Sequence, residues 1–171
     1  MSTSPLLEGL QRISALLAEY PLDLNEVKLT VLSSILHGFE LSDLFLFRRR
    51  GEQSLFLATA GIGPHATGLV HKLSFDENDL DALALASKGD QPILLEDVAH
   101  ATFKHKLPGW LMTMNPGGVL LAPIPDEPHN LALLLGFTAH GTCIQCDTTS
   151  LQRLNALGLA LAVALRKAPQ A

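Results

Sequence analysis

The sequence predicts an α+β domain built on a central antiparallel sheet of about five to six strands. Two observations predict this fold: apolar residues recur at helical spacing near both ends of the chain, and two pairs of short apolar segments each flank a turn-forming stretch. Strands joined by tight turns pair antiparallel. We expect the terminal helices to cover one face of the sheet and a helical insert to cover the other face as a lid.

The composition is typical of a folded domain. The chain has 171 residues, of which 47% are hydrophobic and 17% charged, so intrinsic disorder is excluded and residues 1–171 are expected to form a single domain. The net charge is −5 and no basic run exceeds three residues, which argues against a nucleic-acid partner.

No apolar run is long enough to cross a membrane. The longest, Leu131 to Ala139 and Ala156 to Leu165, have about half of the ~20 residues that a bilayer requires. Glu8 and the lack of a positive charge before the first apolar residues argue against a signal peptide. Only two cysteines occur, Cys143 and Cys146, too close together to link distant parts of the fold. We therefore expect a cytoplasmic protein with no membrane partner.

Two helices and a hairpin are predicted first. Apolar residues spaced by four, three and four positions predict a helix over 5–19. A second helix begins after Asp23, which forms a capping pair with Glu26, and ends at Gly38. The strands that follow are predicted at 43–48, at 54–62 and within 68–75.

The insert follows this hairpin. An acidic first turn predicts a helix over 76–88, with Ser74 and Glu77 as a capping box. Residues 91–97 are expected to be extended, and Pro92 indicates an edge strand. Two short helices are expected after it.

A second hairpin and a long helix close the chain. The strands are predicted at 118–124 and 131–139, and the helix at 149–167 with Thr149 as its cap. Both terminal helices carry more than one stripe of apolar residues. Because a helix that is apolar on two sides needs two partners, we expect a homodimer through the terminal helices.

Five segments carry a resemblance to a known family. They are the helix 23–38 leading into the strand Leu44–Phe47, the segment 91–98 with Pro92 and Asp97, the strand 118–125 with Pro123, the strand 131–137 with Gly136, and the helix 151–165. Over residues 10–167 their order resembles a GAF domain. The resemblance implies a PAS-like antiparallel sheet and a non-enzymatic sensory or regulatory role in bacterial signal transduction.

The predicted lid resembles a narrower group. Residues 75–110, with Pro108-Gly109-Trp110-Leu111, look most like GAF domains attached to bacterial HDOD signalling domains. No His-Asp dipeptide occurs, so phosphodiesterase chemistry is not implied. The Asn-Lys-Phe-Asp-Glu signature of cyclic-nucleotide-binding GAF domains and the bilin-attaching Cys-His pair of phytochromes are absent, which argues against both ligands.

The resemblance implies a small-molecule pocket between the sheet and the lid. From the strands and the lid we select six candidate ligand-binding residues: Phe45, Phe47, Thr59, Asp97, Trp110 and Leu121. Small-molecule sites are mostly apolar with a few polar anchors. Trp110 and its neighbouring methionines alternatively form ordinary core. The aromatic residues Phe75 and Phe103 also fall around the lid.

Charged residues occur in two further places. Those of the lid either contact an anionic or amphiphilic ligand or form an exposed mixed-charge helix; they are Asp97, His100, Lys104 and His105. The run Arg48-Arg49-Arg50 is interpreted as a solvated hairpin end, with phosphate binding as the alternative. Alternation along the strand places Arg49 on the face opposite its two neighbours.

The cysteines leave three interpretations open. His140-x-x-Cys143-x-x-Cys146 has metal-ligand spacing but supplies only three ligands, so we interpret it as a β-to-α turn and assign no metal site. A redox-active pair and a metal site completed by Asp147 or His129 are the alternatives. GAF-fold reductases of free methionine sulfoxide place cysteines around the lid, and none occurs over 76–135 here, so a thiol-dependent reductase using Cys143 and Cys146 is the weaker hypothesis.

The sequence therefore predicts a sensory or regulatory module that binds a small molecule, mediates dimerisation, or does both. A ligand-free dimerisation scaffold is the first alternative. No catalytic residue is assigned, and the sequence names no ligand or cofactor.

Overall fold

Six strands form one antiparallel sheet in the computed structural model, which describes residues 4–102 and 104–167. The strands are β1 (Asp43–Arg49), β2 (Leu55–Ile62), β3 (Ser74–Asp76), β4 (Ile93–Leu95), β5 (Val119–Ile124) and β6 (Ala132–Phe137). Their order across the sheet is β3-β2-β1-β6-β5-β4. The two predicted hairpins, β1–β2 and β5–β6, therefore meet at the central pair β1–β6, and β4 lies at an edge as Pro92 indicated.

Helices pack on both faces of this sheet. They are α1 (Pro5–Leu17), α2 (Leu24–Gly38), α3 (Ala82–Ser87), α4 (Gly109–Thr113) and α5 (Thr148–Lys167), with 3-10 turns at Ala66–Gly68, Val98–His100 and Lys104–Lys106. In the part of the chain that the structure describes, no helix combines the length and apolarity needed to cross a bilayer.

Alternation along β1 separates two hydrophobic cores. Leu44 and Leu46 pack with residues of α1, α2 and α5, whereas Phe45 and Phe47 pack with α3, α4 and the lid segments between them. Because successive strand residues point to opposite faces, one strand supplies both cores. The predicted α+β fold, with terminal helices on one face and a helical lid on the other, is confirmed.

The second apolar stripe of α5 has partners within the same protomer. Leu157 and Ala164 are fully buried in the core shared by α1, α2 and α5. The additional apolar residues that suggested a partner protomer thus pack largely against helices of the same chain. The homodimer through the terminal helices stays a prediction.

The predicted helix over 76–88 is wrong in its first half. Residues 74–76 pair with β2 as β3, so Ser74 and Glu77 form no capping box, and α3 begins only at Ala82. Acidic side chains bind the local backbone instead: Asp76 accepts from the amide of Asn78 at 2.9 Å, and Asp79 accepts from the amide of Asp76 at 3.1 Å. Such bonds favour a turn over a helix.

Two helix caps show how short polar side chains set the helix starts. Asp23 accepts from the amide of Glu26 at 3.2 Å, as predicted for α2. At α5 the predicted cap Thr149 is wrong, because Asp147 accepts from the amide of Ser150 at 2.7 Å and the helix begins at Thr148. Aspartate and threonine are both good caps, so residue type alone did not distinguish them.

A buried carboxylate fixes the start of the central strand. The side chain of Asp43 has no exposed surface and accepts hydrogen bonds from the amides of His65 and Ala66, at 2.7 and 2.8 Å, and from Ser42 Oγ at 2.6 Å. His65 Nδ1 lies 3.0 Å from the same carboxylate. Burial alone raises the pKa of Asp43, but these hydrogen bonds outweigh it, so the pKa lies below its ordinary value.

We expect the Asp43→Asn variant to be less stable by about 1–3 kcal/mol near neutral pH, because one acceptor is replaced by a donor in a buried site. The folded-state pKa lies below the unfolded one, so the carboxylate stabilises the fold at neutral pH. That contribution is lost as the pH falls below about 4, toward the folded-state pKa. Urea denaturation at neutral pH and below about pH 4 measures the difference in the free energy of unfolding between variant and wild type. This difference should be smaller at the acidic pH. The exposed Asp90→Asn variant is the control, and a difference independent of pH would contradict the prediction.

Candidate functional site

Four of the six predicted ligand-binding residues lie in the core beneath the lid. Phe45, Phe47 and Leu121 have no exposed surface, and Trp110 packs against the same core. The ring centroids of Phe45 and Phe47 lie 5.9 and 6.4 Å from that of Trp110. These side chains form packed core in this structure, and a ligand would reach the three buried ones only if the lid moved.

Further aromatic rings extend this packing across the sheet. Phe75 lies 5.3 Å from Phe47 and stacks on Phe56 with 4.8 Å between ring centroids. Phe103, which the sequence also placed around the lid, lies outside the described residues. The scarce large rings of the chain are therefore concentrated between sheet and lid.

Thr59 lies at a bulge in β2. Leu46 opposes Ala60 and Phe47 opposes Ala58, so Thr59 is the extra residue between the two pairs. Its hydroxyl is buried without a hydrogen-bond partner among the described residues. The structure does not bring Thr59 to the remaining predicted residue, Asp97, which lines a cleft at the edge of the lid.

This lid cleft has a volume of about 370 Å³ and lies between the lid and the loop that follows β6. Asp97 and Lys104 contribute from the lid, and His140 and Cys143 from the loop. Its remaining lining residues are Val98, Ala99, Met112, Asn115, Pro116, Gly117 and Gly141. The charged residues of the lid and the segment with His140 and Cys143, which the sequence indicated as separate features, thus line the same cleft. Of the marked residues, His100, His105 and Cys146 are not part of its lining.

Backbone hydrogen bonds hold the walls of the cleft together. The amide of Val98 donates to the carbonyl of Gly117 at 2.8 Å, and the amide of Ile144 donates to that of Glu96 at 2.9 Å. The amide of Gly117 donates in turn to the carbonyl of Thr138 at 3.0 Å. A Cβ atom at Gly117 would collide with the carbonyl oxygens of Ala139 and Thr142, so this crossing needs glycine. The segment after β4, the start of β5 and the loop before α5 are therefore joined at one point.

The charged side chains of the lid are fixed locally. Asp97 accepts from the amide of Ala99 at 3.1 Å, and Lys104 Nζ lies 3.4 Å from the carbonyl of Ala99. His100 Nε2 is 3.8 Å from Asp97 and is mostly exposed. The carboxylate of Asp97 and the ammonium of Lys104 therefore both line the lid cleft, and each has exposed surface.

Both cysteines are free thiols. Desolvation and then the carboxylate of Asp97 raise the pKa of Cys143, and desolvation and then Asp147 raise that of Cys146. Each thiol is consequently less ionised at neutral pH than an ordinary cysteine. Over residues 4–102 and 104–167, no three His, Cys, Asp or Glu side chains are grouped so that they could hold a metal ion.

The interpretation of Arg48-Arg49-Arg50 as a solvated hairpin end is wrong for Arg49. Its side chain is 8% exposed, lies 2.7 Å from Glu77 and stacks on the ring of Phe56 at 4.6 Å. Arg48 points to the other face and donates to the carbonyl of Leu165 in α5 at 3.3 Å. The alternation was predicted, but the partners on each face come from elements distant in sequence.

Solved structures share this fold over nearly the whole chain. The GAF domain of a phosphoenolpyruvate-protein phosphotransferase from Coxiella burnetii has a TM-score of 0.75 and 18% identity, with 96% of this chain and 95% of that chain covered. The corresponding Acinetobacter GAF domain has a TM-score of 0.75 and 14% identity, over 96% and 95%. Free methionine-R-sulfoxide reductase from Neisseria meningitidis has a TM-score of 0.71 and 12% identity, over 98% and 93%.

No protein-family model and no curated protein sequence matches the chain. The structural neighbours have low sequence identity, so what they share with this chain is the arrangement of helices and strands. The resemblance found in the sequence is confirmed at that level: the chain has the fold of GAF domains.

Proposed function

We propose that this chain is a non-enzymatic sensory or regulatory domain that binds a small polar molecule in the lid cleft. One observation carries the proposal: Asp97 and Lys104 of the lid meet His140 and Cys143 of the loop before α5 around a single cleft of about 370 Å³. That volume lies within the range of about 300–1,000 Å³ typical of ligand sites.

The lining of the cleft indicates the ligand chemistry. The carboxylate of Asp97 suits a cationic group and the ammonium of Lys104 an anionic one, while Val98 and Met112 supply apolar surface. A small zwitterion such as a free amino acid has groups that complement all three. The neighbouring reductase structure was solved with its substrate, so methionine sulfoxide is a reasonable member of a test panel.

The position of the cleft suggests how binding acts on the rest of the domain. The loop that carries His140 and Cys143 leads directly into α5, which packs on α1 and α2. A ligand that bridges this loop and the lid would favour one arrangement of both segments. We propose that α5 transmits this change to an output partner.

A ligand-free scaffold is the second candidate function. The observation that favours it is the closed aromatic core beneath the lid, where Phe45, Phe47 and Leu121 leave no exposed surface for a ligand. In that case the lid cleft would be an unoccupied surface feature.

A thiol-dependent reductase is the least favoured function. The raised pKa values of Cys143 and Cys146 oppose formation of the thiolate, which is the reactive species. Asp97, which the sensory proposal places against the ligand, contributes to this effect at Cys143.

We expect a free amino acid or a close derivative to bind the wild-type chain, and Asp97→Asn and Lys104→Met each to weaken binding by about tenfold or more, because each removes a charge-assisted contact. Isothermal titration calorimetry and native mass spectrometry with a panel that includes methionine and methionine sulfoxide measure this. Asp90→Asn and Lys72→Met, which lie outside the lid cleft, are the matched controls. If no compound binds, the scaffold function is favoured; if a compound binds equally well to all variants, the cleft is not the site.

We also expect Cys143 to react slowly with iodoacetamide at neutral pH, and Asp97→Asn to accelerate this reaction, because the carboxylate of Asp97 helps to raise the pKa of the thiol. The sign follows because removal of a neighbouring negative charge favours the thiolate. The Cys146→Ser background isolates Cys143, and Asp90→Asn is again the control. A reaction already fast at neutral pH in the parent protein would contradict the assignment.

A further inference from the structure

An apolar groove lies beside the open edge of the sheet, on the side of the molecule that carries β4. It has a volume of about 420 Å³. Its apolar lining consists of Leu80, Ala82, Leu85, Ile93 and Leu95, and its charged lining of Asp79, Asp81, Lys88 and Lys106. None of these residues belongs to the lid cleft.

Two leucines at this groove are unusually exposed. Leu80 is 91% exposed and Leu85 is 56% exposed, while Ile93 and Leu95 form the floor of the groove on β4. Single exposed leucines are common on protein surfaces, but a projecting leucine beside a concave apolar surface is a feature of association sites. Here the projecting residue, Leu80, and the groove belong to the same surface.

The edge strand adds a second feature. Within the described part of the chain, β4 pairs with β5 on one side and no strand lies on its other side. An uncovered edge presents backbone amides and carbonyls that can pair with another chain. Pro92 and the three-residue length of β4 limit this pairing, so the apolar groove would contribute most of the contact.

The charges at the groove are arranged self-complementarily. Asp79 and Asp81 precede α3 and Lys88 follows it, so the acidic and basic ends are separated by a six-residue helix, or roughly 9 Å. A two-fold axis through the middle of such a surface places the acidic end of one copy against the basic end of the other. The order of these three charges therefore complements that of a second copy of the same surface.

We propose that the groove and the edge of β4 form a homodimer interface between two copies of this chain. Leu80 of each copy enters the groove of the other, against Leu85 and Ile93. The acidic residues before α3 face Lys88 of the second copy, and the two β4 edges run antiparallel at the centre. This interface is distinct from the terminal helices, since none of the residues that line the groove belongs to α1, α2 or α5.

The test compares two leucines of equal exposure on different surfaces. Leu85 and Leu159 are both 56% exposed, Leu85 at the groove and Leu159 on α5. We expect sedimentation velocity to show a concentration-dependent dimer whose dissociation constant rises at least about tenfold in Leu85→Lys and in Leu80→Glu, because each change occurs twice in a two-fold interface. Leu159→Lys should leave it unchanged, and thermal unfolding checks that all variants are folded.

A charge exchange tests the orientation. Lys88→Glu and Asp79→Lys should each weaken the homodimer, and an equimolar mixture of the two should form a heterodimer that native mass spectrometry resolves. A wild-type chain that stays monomeric at its highest soluble concentration would overturn the proposal. So would a dimer that is lost in Leu159→Lys but retained in Leu85→Lys, which would assign the interface to the terminal helices.

Discussion

The structure depends on a sheet whose central strands are buried on both faces. In β1 the four residues from Leu44 to Phe47 have no exposed surface, and in β6 the three leucines 133–135 have none either. Because successive residues of a strand face opposite sides, both sides need an apolar cover. The terminal helices provide one cover and the lid provides the other. An aliphatic chain with few charges meets this requirement.

Hydrogen bonds to buried polar groups at the ends of these strands position the rest of the molecule. At the start of β1, the carboxylate of Asp43 accepts hydrogen bonds from two backbone amides of the loop after β2. At the end of β6, the Thr138 hydroxyl accepts from the amide of Gly118 at 2.8 Å and also contacts the carbonyl of Thr142. A buried polar group without a partner costs free energy, so these contacts fix the loops as well as the strands. The lid cleft lies beside the second of these points.

The two proposed sites use different properties of the lid. The lid cleft combines opposite charges with partly exposed surface, which suits a small polar ligand. The groove beside β4 is mostly apolar with charges in a self-complementary order, which suits a second copy of the chain. In the proposed arrangement the lid contacts both a ligand and a partner protomer, and no residue of α5 lines either site.

The sequence by itself determined the local elements and their order. The spacing of apolar residues predicted α1, α2 and α5, and the turn-forming stretches predicted both hairpins, because these signals depend on near neighbours. It also predicted that Arg49 lies on the face of β1 opposite to Arg48. The helix predicted from the sequence was longer than α3. Its first residues instead belong to β3, which pairs with β2, and to the turn that follows β3. Four of the predicted ligand-binding residues lie together in the core beneath the lid, Asp97 lines the lid cleft instead, and ligand binding by any of them stays a prediction.

Only the tertiary structure decided which of these residues lie together. Asp97 and His140 are distant in sequence, and they share a cleft because β4 pairs with β5 and β5 with β6, which brings the segments after β4 and β6 together. The burial of Arg49 against Glu77 and the open side of β4 likewise follow from the order of the strands. Contacts of this kind depend on long-range pairing, and local periodicity in a single sequence contains no record of it.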